Sequence, residues 1–370
     1  MKTMTTAAPV ITGWSAISPF GLDGHAFATG IREGRRTYAP VDHAVWPVPD
    51  EFACLVPGFN VTELLGNKGT RTMNRTTGLA VATAGQVLGP GKPTARAAEG
   101  TAFTLGTTTG SAQSMMDFTR QSLVGERPYL VEPALVPYGV MNVAAARCAI
   151  WHGLKGPNTT IATGRPAGIS ALSYARRLLA TGRAERALAG AVEEYSVARS
   201  WLHHHSRNGN GGPLGEGAAI FVIEPASSAT RRPLATLLAT EFRTCVDGDF
   251  GTVIRMAIRA ALARGGVSAD EVFLASPSGA PGPAGLAERA ALAEAANETA
   301  ISRVPDLVEL IADAGAASAA FQIAAVLSLA AVLPAAGKPA LITSVDPDGA
   351  VACALLRLAE DPGPAGNPGE

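Results

Sequence analysis

Residues 156–172 read GPNTTIATGRPAGISAL and constrain the fold more than any other stretch of the chain. The β-branched run Thr159-Thr160-Ile161 predicts a short strand. Ala162-Thr163-Gly164 turns the chain, and the small residues of 167–172 predict a helix that packs closely on its neighbours. A strand that turns this sharply into a helix lifts one side chain off the sheet edge and aims the helix N-terminus at it. The side chain in that place is Arg165.

The 370 residues are 47% hydrophobic with a formal net charge of −1, enough for a large core in one big domain or two fused halves. That charge excludes the basic footprint of a nucleic-acid binder. Cys54, Cys148, Cys245 and Cys353 lie far apart, without metal-ligand spacing, and read as small buried hydrophobes. The N-terminus shows one lysine and no continuous apolar run, so no signal peptide is expected and the expected location is cytoplasmic. Residues 314–337 carry no charge and could span a bilayer by length. Their alanine content, Ser318, Gln322 and Ser328 favour a core helix instead, and no membrane association is expected.

Taken in order, residues 9–13 (PVITG) predict a strand, 22–34 a helix, 35–60 proline-bearing loops and 70–88 a long helix. Residues 103–110 predict a strand entering a glycine-punctuated loop, and 111–123 a helix. After the elbow helix, residues 187–194 (ALAGAVEE) predict a strand ending at Glu193 and Glu194, and either glutamate could neutralise Arg165. His203, His204 and His205 are expected in an exposed loop, because consecutive histidines make poor three-ligand geometry. His152 reads as a satisfied structural histidine. Residues 226–235 form a hinge, and the second half repeats the first in outline: strands at 234–240 and 271–275, helices at 252–264, 286–296 and 314–333, closing strands at 339–344 and 350–358. The expected division is 1–228 and 229–360, with the Pro/Gly-rich 361–370 as a disordered tail.

These residues carry a resemblance. GPN at 156–158, Thr163 and Gly168 match the nucleophile elbow of the β-ketoacyl synthases of the thiolase fold, whose pattern is GPN, four residues, then T-A-C-x-x-G. Residues 9–21, Asn142, Ala145, Gly153, the strand at 187–194 and Leu214-Gly215-Glu216-Gly217-Ala218 match as well. The resemblance implies an α/β thiolase fold, two duplicated βαβ halves in a five-layer αβαβα sandwich. It also implies that the nucleophilic cysteine falls on Arg165, which cannot attack a thioester. The two histidines of the family fall on Pro277 and Ala312, and its lysine on Leu307. No histidine follows His205, so no other register supplies them. The family's closing gate loop is Asp346-Pro347-Asp348-Gly349 here.

This combination resembles the chain-length factor, the non-condensing subunit of type II polyketide synthases. The resemblance implies a heterodimer with a ketosynthase alpha subunit that supplies the catalytic set. Acyl groups would ride on the phosphopantetheine of acyl carrier protein, with no cofactor or metal bound to this chain. The helix at 111–123 would sit at the interface and floor the acyl tunnel, with Ala112, Ser114, Met115, Met116 and Phe118 as candidates; Phe at Ala112 or Ser114 is expected to shorten the product. Thr163, Gly164, Gly168, Glu193 and Glu194 would be structural near the elbow. Two alternatives stay open: a degenerate acyltransferase using Thr163 or Ser170, and a homodimeric scaffold that binds carrier protein.

Overall fold

The computed structural model describes residues 8–208 and 211–360; the tail at 361–370 and the extreme N-terminus lie outside the described residues. The described strands build a nine-stranded sheet and a small three-stranded one. Across the large sheet the order is Leu274–Ser276, Pro339–Val345, Ala350–Leu358, Ala235–Thr244, Val10–Ile17, Gly217–Glu224, Arg186–Glu193, Thr101–Thr107 and Asn158–Ala162.

The duplication is visible in that order. Thr101–Thr107 pairs parallel with Arg186–Glu193, which pairs antiparallel with Gly217–Glu224. In the second half, Leu274–Ser276 pairs parallel with Pro339–Val345, which pairs antiparallel with Ala350–Leu358. The two halves join through a two-residue ladder, Val10 opposite Thr236 and Ile11 opposite Ala235.

Side-chain alternation along these strands sets the layers. In Gly217–Glu224, Ala219, Phe221 and Ile223 face a central core, while Ala218, Ile220 and Val222 face an outer one. The central core also holds Ile342, Ala354 and Leu356 of the second half, together with helices Ala167–Ala180 and Ser318–Ala330. Helices Arg75–Leu88 and Val143–His152 cover the outer face of the first half, and Phe250–Gly265 and Gly282–Ala295 that of the second. The layers number five, as the resemblance implies.

The uncharged stretch at 314–337 becomes a single 3₁₀ turn, Gly315–Ala317, and the helix Ser318–Ala330. Every residue of that helix is buried. It lies between the two halves of the nine-stranded sheet, which is why it reads apolar on all sides. Among the described residues no helix is long and apolar enough to cross a membrane.

One expectation is corrected here. His203, His204 and His205 occupy the last turn of helix Val197–Ser206, not a loop. Ser196 caps that helix by accepting from the Arg199 N–H, and basic side chains are stabilised near its negative C-terminal end. The His205 ring stacks on Trp201. No group of three or more His, Cys, Asp or Glu able to hold a metal occurs among the described residues.

Candidate functional site

The elbow strand Asn158–Ala162 is the outermost strand of the sheet and pairs on one side with Thr101–Thr107. Its start is anchored by Asn158 Nδ2, which donates to the Ala145 carbonyl at 2.9 Å. The turn needs glycine at 164, where φ is +63° and a Cβ would lie 2.1 Å from Asp346 Oδ2. Helix Ala167–Ala180 then passes so close to the central helix that a Cβ on Gly168 would sit 2.7 Å from the Ala320 nitrogen. Thr163 is exposed, and its hydroxyl lies 3.0 Å from that of Ser170.

Arg165 does not project into an open cleft. It is 3% exposed and held by three residues of the second half. Its backbone N–H donates to Asp346 Oδ2 at 3.0 Å, and Nη2 donates to the Ser278 carbonyl at 2.6 Å. Nη1 lies 2.5 Å from Asp313 Oδ1. That contact is an ion pair whose angles fall short of a hydrogen bond, and Nε has no hydrogen-bond partner among the described residues. Burial alone would raise the Asp313 carboxyl; the guanidiniums of Arg165 and Arg199 and the Gly315 N–H outweigh it and hold the group below its ordinary value.

Asp313, not Glu193 or Glu194, therefore neutralises Arg165. The glutamates are buried but already committed. Glu193 accepts from the Thr108 hydroxyl and from the Ala316 N–H at 3.2 Å, so it fixes the loop that follows Asp313. Glu194 accepts from Thr76, from Ser111 and from the Gln113 N–H at the start of helix Ala112–Val124. Burial pushes its carboxyl up, against those hydrogen bonds. The sequence did hold a signal for Asp313: it is the acid next to the predicted histidine position Ala312, and a buried guanidinium demands an acid.

The predicted second-half positions converge on the elbow. Pro277 follows strand Leu274–Ser276 and precedes Ser278. Ser278 also donates through N–H and hydroxyl to Glu288, a fully buried carboxylate that burial pushes up. Leu307 opens helix Leu307–Ile311, and Ala312 leaves it at φ +58°. Between them is a cavity of about 10 Å³, lined in part by Ser278, Leu307, Ala312, Phe321 and Gln322. That is the scale of one water molecule, far below an acyl chain.

Helix Ala112–Val124 divides the tunnel candidates. Ala112 and Ser114 are buried within the chain, and the Ser114 hydroxyl accepts from Asn74 Nδ2 at 3.0 Å. Met115 and Met116 are 38% and 45% exposed, and Phe118 is half-buried. All four cysteines are buried, and burial pushes the thiols of Cys148 and Cys353 up, so neither supplies a thiolate near neutrality. The His152 ring packs under helix Arg75–Leu88 with Nε2 2.9 Å from the Val81 carbonyl, a structural position.

The chain is similar to a chain of the solved ishigamide ketosynthase/chain length factor, at 45% identity and a TM-score of 0.90, covering 95% of this chain and 99% of that one. A type II polyketide ketosynthase solved with its acyl-carrier protein, at 18% identity and a TM-score of 0.77, shares the fold. The 3-oxoacyl-[acyl-carrier-protein] synthase 2 of Vibrio cholerae is 25% identical over 338 residues, 81% of this chain and 80% of that protein. The tetracenomycin polyketide synthase ketoacyl synthase alpha subunit of Streptomyces glaucescens is 29% identical over 253 residues, 60% of this chain and 59% of that protein. The family model described as "Beta-ketoacyl synthase, N-terminal domain" matches residues 8–229, elbow included, and the chain belongs to the β-ketoacyl synthase family.

Proposed function

We propose that this chain is the chain-length-factor subunit of a type II polyketide synthase, without condensing activity of its own. The observation that carries this reading is Arg165: a buried, ion-paired guanidinium stands where the family's nucleophile would stand. The cavity between Ser278, Leu307 and Ala312, about 10 Å³, is too small for an acyl chain. The partner would be a ketosynthase alpha subunit that carries the cysteine and both histidines. It would extend malonyl-derived chains held on the phosphopantetheine of acyl carrier protein. The elbow strand Asn158–Ala162, free along its outer edge, would pair with the partner, and Met115, Met116 and Phe118 would contribute to the shared tunnel wall. Similarity to a chain of a solved ketosynthase/chain length factor supports this reading.

The test is capture of the tagged chain from its host, followed by native mass spectrometry and sequencing of its partner. A one-to-one complex with a ketosynthase that has the full catalytic set is expected. A stable homodimer with no such partner refutes the heterodimer and favours the homodimeric carrier-binding scaffold.

A further inference from the structure

The strands Pro339–Val345 and Ala350–Leu358 form an antiparallel hairpin whose turn is Asp346-Pro347-Asp348-Gly349. The turn is tight. Asp346 N–H donates to the Ala350 carbonyl at 2.8 Å, and Gly349 N–H to the Asp346 carbonyl at 2.9 Å. Asp346 Oδ1 accepts from the Asp348 N–H at 3.0 Å, which fixes the side-chain rotamer. Oδ2 then points out of the hairpin and accepts the Arg165 N–H at 3.0 Å, against the α-carbon of Gly164. Pro347 restricts the turn further. This loop is a short, internally bonded hairpin, not a gate with room to swing.

The backbone N–H at a strand-turn-helix elbow is the kind of preorganised donor that an acyl-transfer site aims at a developing oxyanion. Here that donor is already engaged by a carboxylate of the same chain. An acyl oxygen would have to displace a charge-assisted hydrogen bond, the stronger class of such bonds. It would also have to enter beside the Asp346 carboxylate, whose negative charge opposes any oxyanion.

We propose that Asp346 is a built-in stopper of the elbow: its carboxylate occupies the place of an acyl oxygen on the Arg165 amide and excludes thioesters whatever side chain stands at 165. The inference rests on the hairpin and elbow geometry and not on the identity of any partner. It makes the loss of acyl binding at this elbow twofold, in the side chain and in the amide.

The full-length chain tests it through a thiol placed at the elbow. R165C, R165C/D346A and R165C/D313A are compared for alkylation by iodoacetamide and for acylation by a decanoyl thioester, both read by peptide mass. R165C/D346A is expected to react faster than R165C by about tenfold or more, the thiolate gain of one pKa unit. R165C/D313A removes a nearby carboxylate while leaving the stopper, so it gains only the electrostatic part, and its acylation is expected to rise less than that of R165C/D346A. Equal acylation of R165C and R165C/D346A, or equal gains from D346A and D313A, overturns the proposal. Should the thiol variants fail to fold, amide hydrogen exchange over residues 163–168 reads the same contact in D346A without them. Exchange about tenfold faster than wild type is expected for a lost charge-assisted hydrogen bond, and an unchanged rate overturns the proposal.

Discussion

Removing the Asp313 carboxylate is the sharpest test of how the elbow is held. In Asp313→Ala, Arg165 keeps its Nη2 bond to the Ser278 carbonyl at 2.6 Å but loses its counter-ion, while remaining 3% exposed. Breaking one side of a buried pair costs about 3–5 kcal/mol, because the remaining charge is stranded. The Asp313 side chain is 23% exposed, so water reaches that side of the pair and the lower end, about 3 kcal/mol, is expected. Arg165→Gln should cost less, since the guanidinium of Arg199 remains near Asp313. The double variant Arg165→Gln/Asp313→Ala should then be more stable than the sum of the singles by about 2 kcal/mol, within the range for directly coupled residues. Urea unfolding followed by circular dichroism measures this, with midpoints compared at constant slope. The pH dependence adds a sign. Asp313 is held below 3.8, so its contribution is complete above that value and is lost as pH falls through the depressed folded value. Additive singles, or an Asp313→Ala cost under about 1 kcal/mol, the level of an exposed pair, would refute the buried-pair assignment.

Four further outcomes follow from the structure. Gly168→Ala places a Cβ 2.7 Å from the Ala320 nitrogen and should destabilise by about 1–3 kcal/mol in the same urea assay, as overpacking does. In the proposed heterodimer, Met115→Trp or Met116→Trp should shorten the product, read by mass spectrometry of the released chain. Ser114→Phe should lower the yield of folded protein instead, because Ser114 is buried against Asn74 and Ser111. Glu194 and Glu288 are pushed above the ordinary 4.5, so the fold binds more protons than the unfolded chain there and loses stability as pH rises through that window. Glu288→Gln should flatten the decline in a melting series against pH, and an unchanged slope would remove Glu288 from the account.

Much of the fold was legible because periodicity and glycine placement are local signals. The strand-turn-helix at 158–180 follows from β-branched residues, Gly164 and a run of small residues. The central helix was legible as buried, but its length was not. Gly315 at φ +51° and the 3₁₀ turn through Ala317 shorten it to Ser318–Ala330, and a hydropathy pattern carries no mark of that turn. The long helix expected from residue 70 starts at Arg75 because Asn74 caps it, accepting the Thr77 N–H. The histidine run was misplaced because its helix is set by a cap at Ser196, outside the run itself. At the site, sequence order favours the nearby glutamates for Arg165, whereas its partner Asp313 comes from the other half. No local pattern says which of two buried carboxylates is already satisfied, as Glu193 is by Thr108 and Ala316.

The position of Asp313 also bears on how a chain of this family could exchange a cysteine for arginine. A buried cation is tolerated only with its acid in place, whereas the acid also has the Arg199 guanidinium. Reverting Arg165 to cysteine therefore leaves Asp313 and Asp346 beside the thiol with no cation on that residue to balance them, and neighbouring negative charge raises a thiol pKa. The reverted chain would hold a thiol beside two carboxylates and an amide engaged by Asp346. Recovery of condensation would need the elbow, Asp313, Asp346 and both histidine positions to change together, while losing Asp313 alone strands the Arg165 charge. On the proposed reading, the elbow persists because it ties the two halves of the fold to each other at the strand that borders the partner.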